Sequence, residues 1–116
     1  MHEIKSVKEF NEKVILQSDK LVVVDFFANW CNPCKKLMPF LEDEIEDKLL
    51  EQGVKLYKCK AYTDSVADKK KINLGELFVH DVVPCLAFFK NRELVAVLHG
   101  TEECKEKVLE TVKQYI

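Results

Sequence analysis

The run from Leu21 to Ala28 is apolar on both alternations, interrupted only by Asp25, and leads through Asn29 and Trp30 into Cys31-Asn-Pro-Cys34. A segment that can turn neither side to water predicts a central β-strand covered on both faces. Beyond Trp30, Cys31 falls where a helix N-cap would. Asn32 and Pro33 fill the first turn, and a helical pattern continues to Leu50. Cys31 is thereby placed at the positive end of a helix, where unpaired backbone N–H groups favour a thiolate over a thiol. Cys34, one turn on, is close enough to close a ring with it. A strand, a tight turn and a helix that opens on two cysteines predict thiol–disulfide exchange.

The rest of the chain narrows the class. Its 116 residues suit one domain, 1–116, and its 47% hydrophobic and 33% charged residues are those of a folded protein. A net charge of −2 speaks against nucleic acid or an anionic membrane as the main partner. Met1-His-Glu-Ile-Lys-Ser6 carries charges where a signal peptide needs an apolar core, and no apolar run is long enough to span a bilayer. The expectation is a cytoplasmic protein, or a mature form, without a membrane. Five cysteines cannot all pair within one chain, and only Cys31 and Cys34 are closely spaced, which argues against a secreted disulfide scaffold. A Cys-x-x-Cys is then redox-active or half of a metal site; the second ligand pair that zinc usually needs is missing, so no metal is expected.

Taken in order, Ser6 and Glu9 form a capping-box pattern before a stripe of Val7, Phe10, Val14 and Ile15 that reaches about Ser18, and Ile4 marks a short edge strand. The long helix from about Pro33 to Leu50 contains Pro39, which should kink it, and Gly53 stops it. Val54 to Tyr62 reads as a second parallel strand. Asp64 and Ser65 can cap a helical stretch from Val66 to about Phe78, either one irregular helix or two short ones, in which Lys69, Lys70 and Lys71 form a solvated face. Cys85 to Lys90 and Glu93 to Leu98 flank Asn91-Arg92 as a hairpin, although Arg92 suits a tight type I′ turn poorly. Thr101 caps a last helix with Val108, Val112, Tyr115 and Ile116 on one face. The predicted class is α/β: a central mixed sheet flanked by helices on both faces.

Asp25, Trp30-Cys-Asn-Pro-Cys34, Lys35, Pro39, Val83-Pro84 and Gly100, laid in this order, resemble the thioredoxin family over nearly the whole chain. The resemblance implies the thioredoxin fold and a protein-disulfide reductase. In it Cys31 is the nucleophile, Cys34 the resolving thiol, Asp25 a buried proton relay and Pro84 a cis-proline facing the disulfide. Trp30, Asn32, Pro33, Val83, Pro84 and Gly100 would bind substrate. It also implies no bound cofactor beyond the Cys31–Cys34 disulfide, electrons from NADPH through a separate thioredoxin reductase, disulfide-containing protein substrates and a monomer. The chain departs from the family pattern at Asn32 for Gly, at Cys85 for the Thr after the cis-proline, at His80, and in a longer stretch between Asp64 and Pro84.

The residues themselves leave several readings side by side. Apolar neighbours on both sides of Asp25 should raise its pKa and equip it to take a proton from Cys34. Lys58 is either its cationic partner across adjacent strands or a solvent-facing lysine. Cys85 is either an accessory third thiol or a small buried hydrophobe in the place of Thr. Cys59 and Cys104 read as packed thiols, and His99 as a surface histidine. The rival functions are a disulfide isomerase or oxidant of the same fold, and a binding adaptor whose thiols are idle.

Overall fold

The computed structural model describes residues 1–17, 19–61 and 83–116. The chain order is β1 (His2–Ile4), α1 (Val7–Phe10), β2 (Val22–Phe27), α2 (Asn32–Phe40), α3 (Glu46–Glu51), β3 (Lys55–Lys60), β4 (Cys85–Lys90), β5 (Glu93–His99) and α4 (Thr101–Tyr115). A π-helical turn over Asn11–Ile15 continues α1, and another over Leu41–Ile45 joins α2 to α3. The end of the second predicted strand at Tyr62, the helix expected after Asp64 and Ser65, the lysine face 69–71 and His80 all lie outside the described residues.

The strands lie in the order β1-β3-β2-β4-β5. β1 and β2 flank β3 in parallel, whereas β4 runs antiparallel to β2 and β5 antiparallel to β4, so the sheet is mixed, as the sequence predicts. β2 has a hydrogen-bonded strand on each side and is buried along its whole length. Its alternation divides the core in two. Val22, Val24 and Phe26 join Phe10 and Val14 on one face, and Val23 joins Leu37, Leu41, Ile45 and Leu49 with Val108 and Val112 of α4 on the other. Each large side chain removed from water in this way contributes roughly 1.5–3 kcal/mol. Phe10 packs edge-on to Phe89 at 5.5 Å between ring centres, which ties α1 to the sheet.

Local chemistry sets the helix ends. Ser6 Oγ accepts the Glu9 N–H at 3.1 Å, and the Glu9 carboxylate accepts the Lys5 N–H at 2.8 Å, which closes the start of α1. Gly53, at φ 76°, ends α3: its N–H reaches the Leu50 carbonyl while the Val54 N–H reaches that of Leu49. Pro39 has no N–H for the Lys35 carbonyl, yet α2 does not stop there; it passes into the Leu41–Ile45 π turn, a register change that absorbs the lost bond.

Three local expectations need correction. Val7 is 41% exposed, because the buried face of the first helix is carried by Phe10 and Val14, spaced one turn apart. Ile116, one residue past α4, is 55% exposed, since a helical stripe ends where the helix does. Thr101 is the first helical residue rather than the cap. The cap position is Gly100, at φ 81°, and it has no side chain to offer.

Candidate active site

β2 carries the chain to the site, and α2 opens it. A turn closed by the Cys31 N–H on the Ala28 carbonyl at 3.2 Å leaves Cys31 in an extended conformation at the N-cap of α2. Its Sγ accepts the Cys34 N–H at 3.2 Å. This sulfur takes the place of the Ser or Asp oxygen that usually caps a helix, with a first-turn N–H pointing at it. Cys31 and Cys34 form a disulfide, with Cα atoms 5.3 Å apart. Asn32 and Pro33 are exposed beside it, while Cys31 and Cys34 are buried.

Two other parts of the chain meet this turn. The Val83–Pro84 peptide bond is cis, and the Val83 carbonyl oxygen lies 3.7 Å from Cys31 Sγ. The Gly100 N–H donates to the Pro84 carbonyl at 3.0 Å, and Thr101 Oγ1 donates to the Pro33 carbonyl at 3.0 Å. Hydrogen bonds thus join the start of β4, the start of α4 and the first turn of α2 around the disulfide. A Cβ on Gly100 would meet nothing within 4 Å, so its positive φ, and not crowding, is what favours glycine. Trp30, like Val83, is half-buried against the cluster that contains Cys31 and Cys34. Thr101 had no sequence signal beyond its capping ability; its bond to Pro33 depends on where α4 lands on α2.

Asp25 lies in the middle of β2, fully buried, with Lys58 of β3 as its register partner on one side and Leu86 of β4 on the other. Neither carboxyl oxygen has a hydrogen-bond partner among the described residues. Burial raises its pKa to about 7; Lys58 opposes the rise and Glu42 adds to it. Lys58 Nζ sits 4.0 Å from Glu42 Oε1 and 4.0 Å from Met38 Sδ. Glu42 was not among the residues singled out in the sequence, where it is one of a run of acids on a helix. An open cleft of about 480 Å³, lined in part by Phe27, Met38 and Pro39, runs from Glu42 to the inner thiol of Cys34.

The remaining thiols are embedded. Cys59, Cys85 and Cys104 are buried, and burial pushes each up to about 12. Cys85, the residue after the cis-proline, has no exposed surface and packs in the same cluster as Cys31 and Cys34. Cys104 donates its S–H to the Leu98 carbonyl at 3.6 Å. His99 is half-buried, and its N–H donates to the Glu103 carboxylate at 2.8 Å. Among the described residues no His, Cys, Asp or Glu cluster is placed to hold a metal, and no helix is long and apolar enough to cross a membrane.

A mixed sheet that presents a Cys-x-x-Cys disulfide at the N-terminus of a helix defines a thiol–disulfide oxidoreductase. Comparison with known proteins agrees. The thioredoxin family profile matches residues 2–114. Thioredoxin of Buchnera aphidicola subsp. Baizongia pistaciae is 40% identical over 89 residues, 77% of this chain and 73% of that one. Thioredoxin-1 of Saccharomyces cerevisiae is 36% identical over 98 residues, 84% of each chain. The solved structure of Malassezia sympodialis thioredoxin superposes with a TM-score of 0.76 at 28% identity, across 99% of this chain and 90% of that one. The chain belongs to the thioredoxin family and has its fold. It is a protein-disulfide reductase whose redox-active group is the Cys31–Cys34 disulfide.

Proposed function

We propose that Cys31 attacks disulfides in substrate proteins, that Cys34 resolves the mixed disulfide, and that Asp25 accepts the proton Cys34 must lose. The observation that carries this reading is the asymmetry of the pair: Cys31 Sγ caps α2 and accepts a backbone N–H, whereas Cys34 lies inside the first turn and lines a cleft that Glu42, the ion-pair partner of Lys58, also lines. Cys31 thiolate forms the first bond to a substrate sulfur, and the second substrate sulfur leaves with the electron pair. Cys34 then displaces the first, which returns the enzyme disulfide and releases a dithiol. The surface formed by Trp30, Asn32, Pro33, Val83, Pro84 and Gly100 receives the substrate chain. Cys85 fills space beneath it rather than taking part, a role supported by its full burial.

Re-reduction has to come from outside, because no glycine-rich nucleotide motif occurs in the sequence. We assign that task to an NADPH-linked thioredoxin reductase, and place the protein as a single-domain monomer carrying electrons in the cytoplasm. Insulin reduction driven by dithiothreitol tests the dithiol roles. Cys31→Ser should abolish catalysis, and Cys34→Ser should accumulate mixed disulfides with substrate. Turnover that survived Cys31→Ser would overturn the assignment.

A further inference from the structure

The charge environment of Asp25 involves a residue to which the dithiol reaction assigns no part. Side chains in register on adjacent parallel strands leave the sheet on the same side, so Asp25 and Lys58 share one face. An ammonium so placed would ordinarily settle on the buried carboxylate, because an unpaired buried charge is the costlier arrangement. It does not do so here. Both Asp25 oxygens are without a hydrogen-bond partner among the described residues, while Lys58 Nζ rests between Glu42 Oε1 and Met38 Sδ, at 4.0 Å from each. The Lys58 side chain is 23% exposed and that of Glu42, which lines the cleft, 39%, so the pair sits near the surface and not in the core. Among the described residues, the other titratable groups that feel the Asp25 charge are the thiols of Cys85 on β4 and Cys104 on α4, both of which Asp25 pushes up further. Burial makes Asp25 a base near neutrality, Lys58 is the cation that lowers its basicity, and Glu42 is the anion placed to compete for that cation.

We propose that Glu42 is a positioning residue for the resolution step: it holds the Lys58 ammonium near the surface, off Asp25, and so leaves the Asp25 carboxylate able to take the Cys34 proton. The inference rests on the reading of Asp25 as proton acceptor. In that step the Cys34 S–H bond breaks and its proton passes to Asp25. The Cys34–Cys31 bond forms as the Cys31–substrate bond breaks, and the electron pair leaves on the substrate sulfur. A carboxylate with a cation within about 4–6 Å has its pKa lowered by about 1 to 3 pH units, which would make it too weak a base near neutrality.

Glu42→Gln keeps the shape and removes the competing charge. The Asp25 titration midpoint, followed by carboxyl ¹³C NMR on the reduced protein, should fall by about one pH unit. The pH profile for resolution of a preformed mixed disulfide should move down with it. In a Lys58→Met background, Glu42→Gln should move the midpoint by much less than it does with Lys58 present. The proposal is overturned if Glu42→Gln does not move the midpoint, or moves it equally with and without Lys58, since Glu42 would then act through its own field alone. Failure of the underlying reading looks different: the midpoint falls but the resolution profile stays, or Asp25→Asn resolves mixed disulfides at the wild-type rate. Either result removes Asp25 as proton acceptor, and with it the catalytic meaning of Glu42.

Discussion

At the scale of single residues, five thiols of one chemical type are separated by where the backbone leaves them. Cys31 is held in the N-cap position with a backbone N–H on its sulfur, which favours the thiolate. Cys34 is one turn in. Cys59, Cys85 and Cys104 are surrounded by core side chains that disfavour their charged forms. Iodoacetamide at pH 7 should therefore label Cys31 of the reduced protein about tenfold faster than Cys34, and should leave the other three unlabelled until denaturant is added. Peroxide should yield only the Cys31–Cys34 bridge. Mass spectrometry that found Cys34 labelled first would reverse the two roles, and a Cys85 disulfide in the oxidised protein would make Cys85 a working thiol.

At the scale of elements, the hairpin from β4 to β5 shows a local rule giving way to a longer-range one. Asn91 and Arg92 have φ of 54° and 66°, the left-handed pair that a two-residue turn requires for its twist to match the strands. Arginine suits that conformation poorly, and yet the turn forms. The flanking strands register from Cys85↔His99 to Lys90↔Glu93, with a bulge between Phe88 and Phe89, and their pairing imposes the turn. The strained residue costs about 1 kcal/mol, so Arg92→Gly should stabilise the protein by that amount. Differential scanning calorimetry should register a rise in Tm of about 4 °C, and a fall would mean that the Arg92 side chain makes a compensating contact. The same ordering explains α4. Thr101 has the chemistry of a cap, but the approach of α4 to α2 turns its hydroxyl to the Pro33 carbonyl instead.

At the scale of the whole molecule, the fold carries a buried acid at its centre, and its stability must follow that acid's titration. The Asp25 pKa is raised from 3.8 to about 7, so between these values the folded state binds a proton that the unfolded state has released. Stability therefore falls as pH rises through this window, by about 1.4 kcal/mol per pH unit, and levels off above about 7. Urea unfolding of the oxidised protein should show this decline, and Asp25→Ala should flatten it. That variant should be more stable than the parent by about 1–3 kcal/mol at pH 8, lose that advantage as pH falls and be the less stable of the two at pH 4, and resolve mixed disulfides more slowly. A variant that was less stable at pH 8 and turned over at the parent rate would mean that Asp25 is a satisfied structural charge. How much of this was legible beforehand depends on the range of the forces involved. The buried middle strand, Cys31 at a helix start, the Gly53 stop and the hairpin were readable because periodicity, caps and turn preferences act within a few residues along the chain. The strand order β1-β3-β2-β4-β5, the bond from Thr101 to Pro33, and the Lys58 ammonium between Met38 and Glu42 were decided only when distant segments packed together. A long flexible side chain or a short hydroxyl takes whichever partner the assembled fold brings within reach, and no local pattern encodes which one that will be.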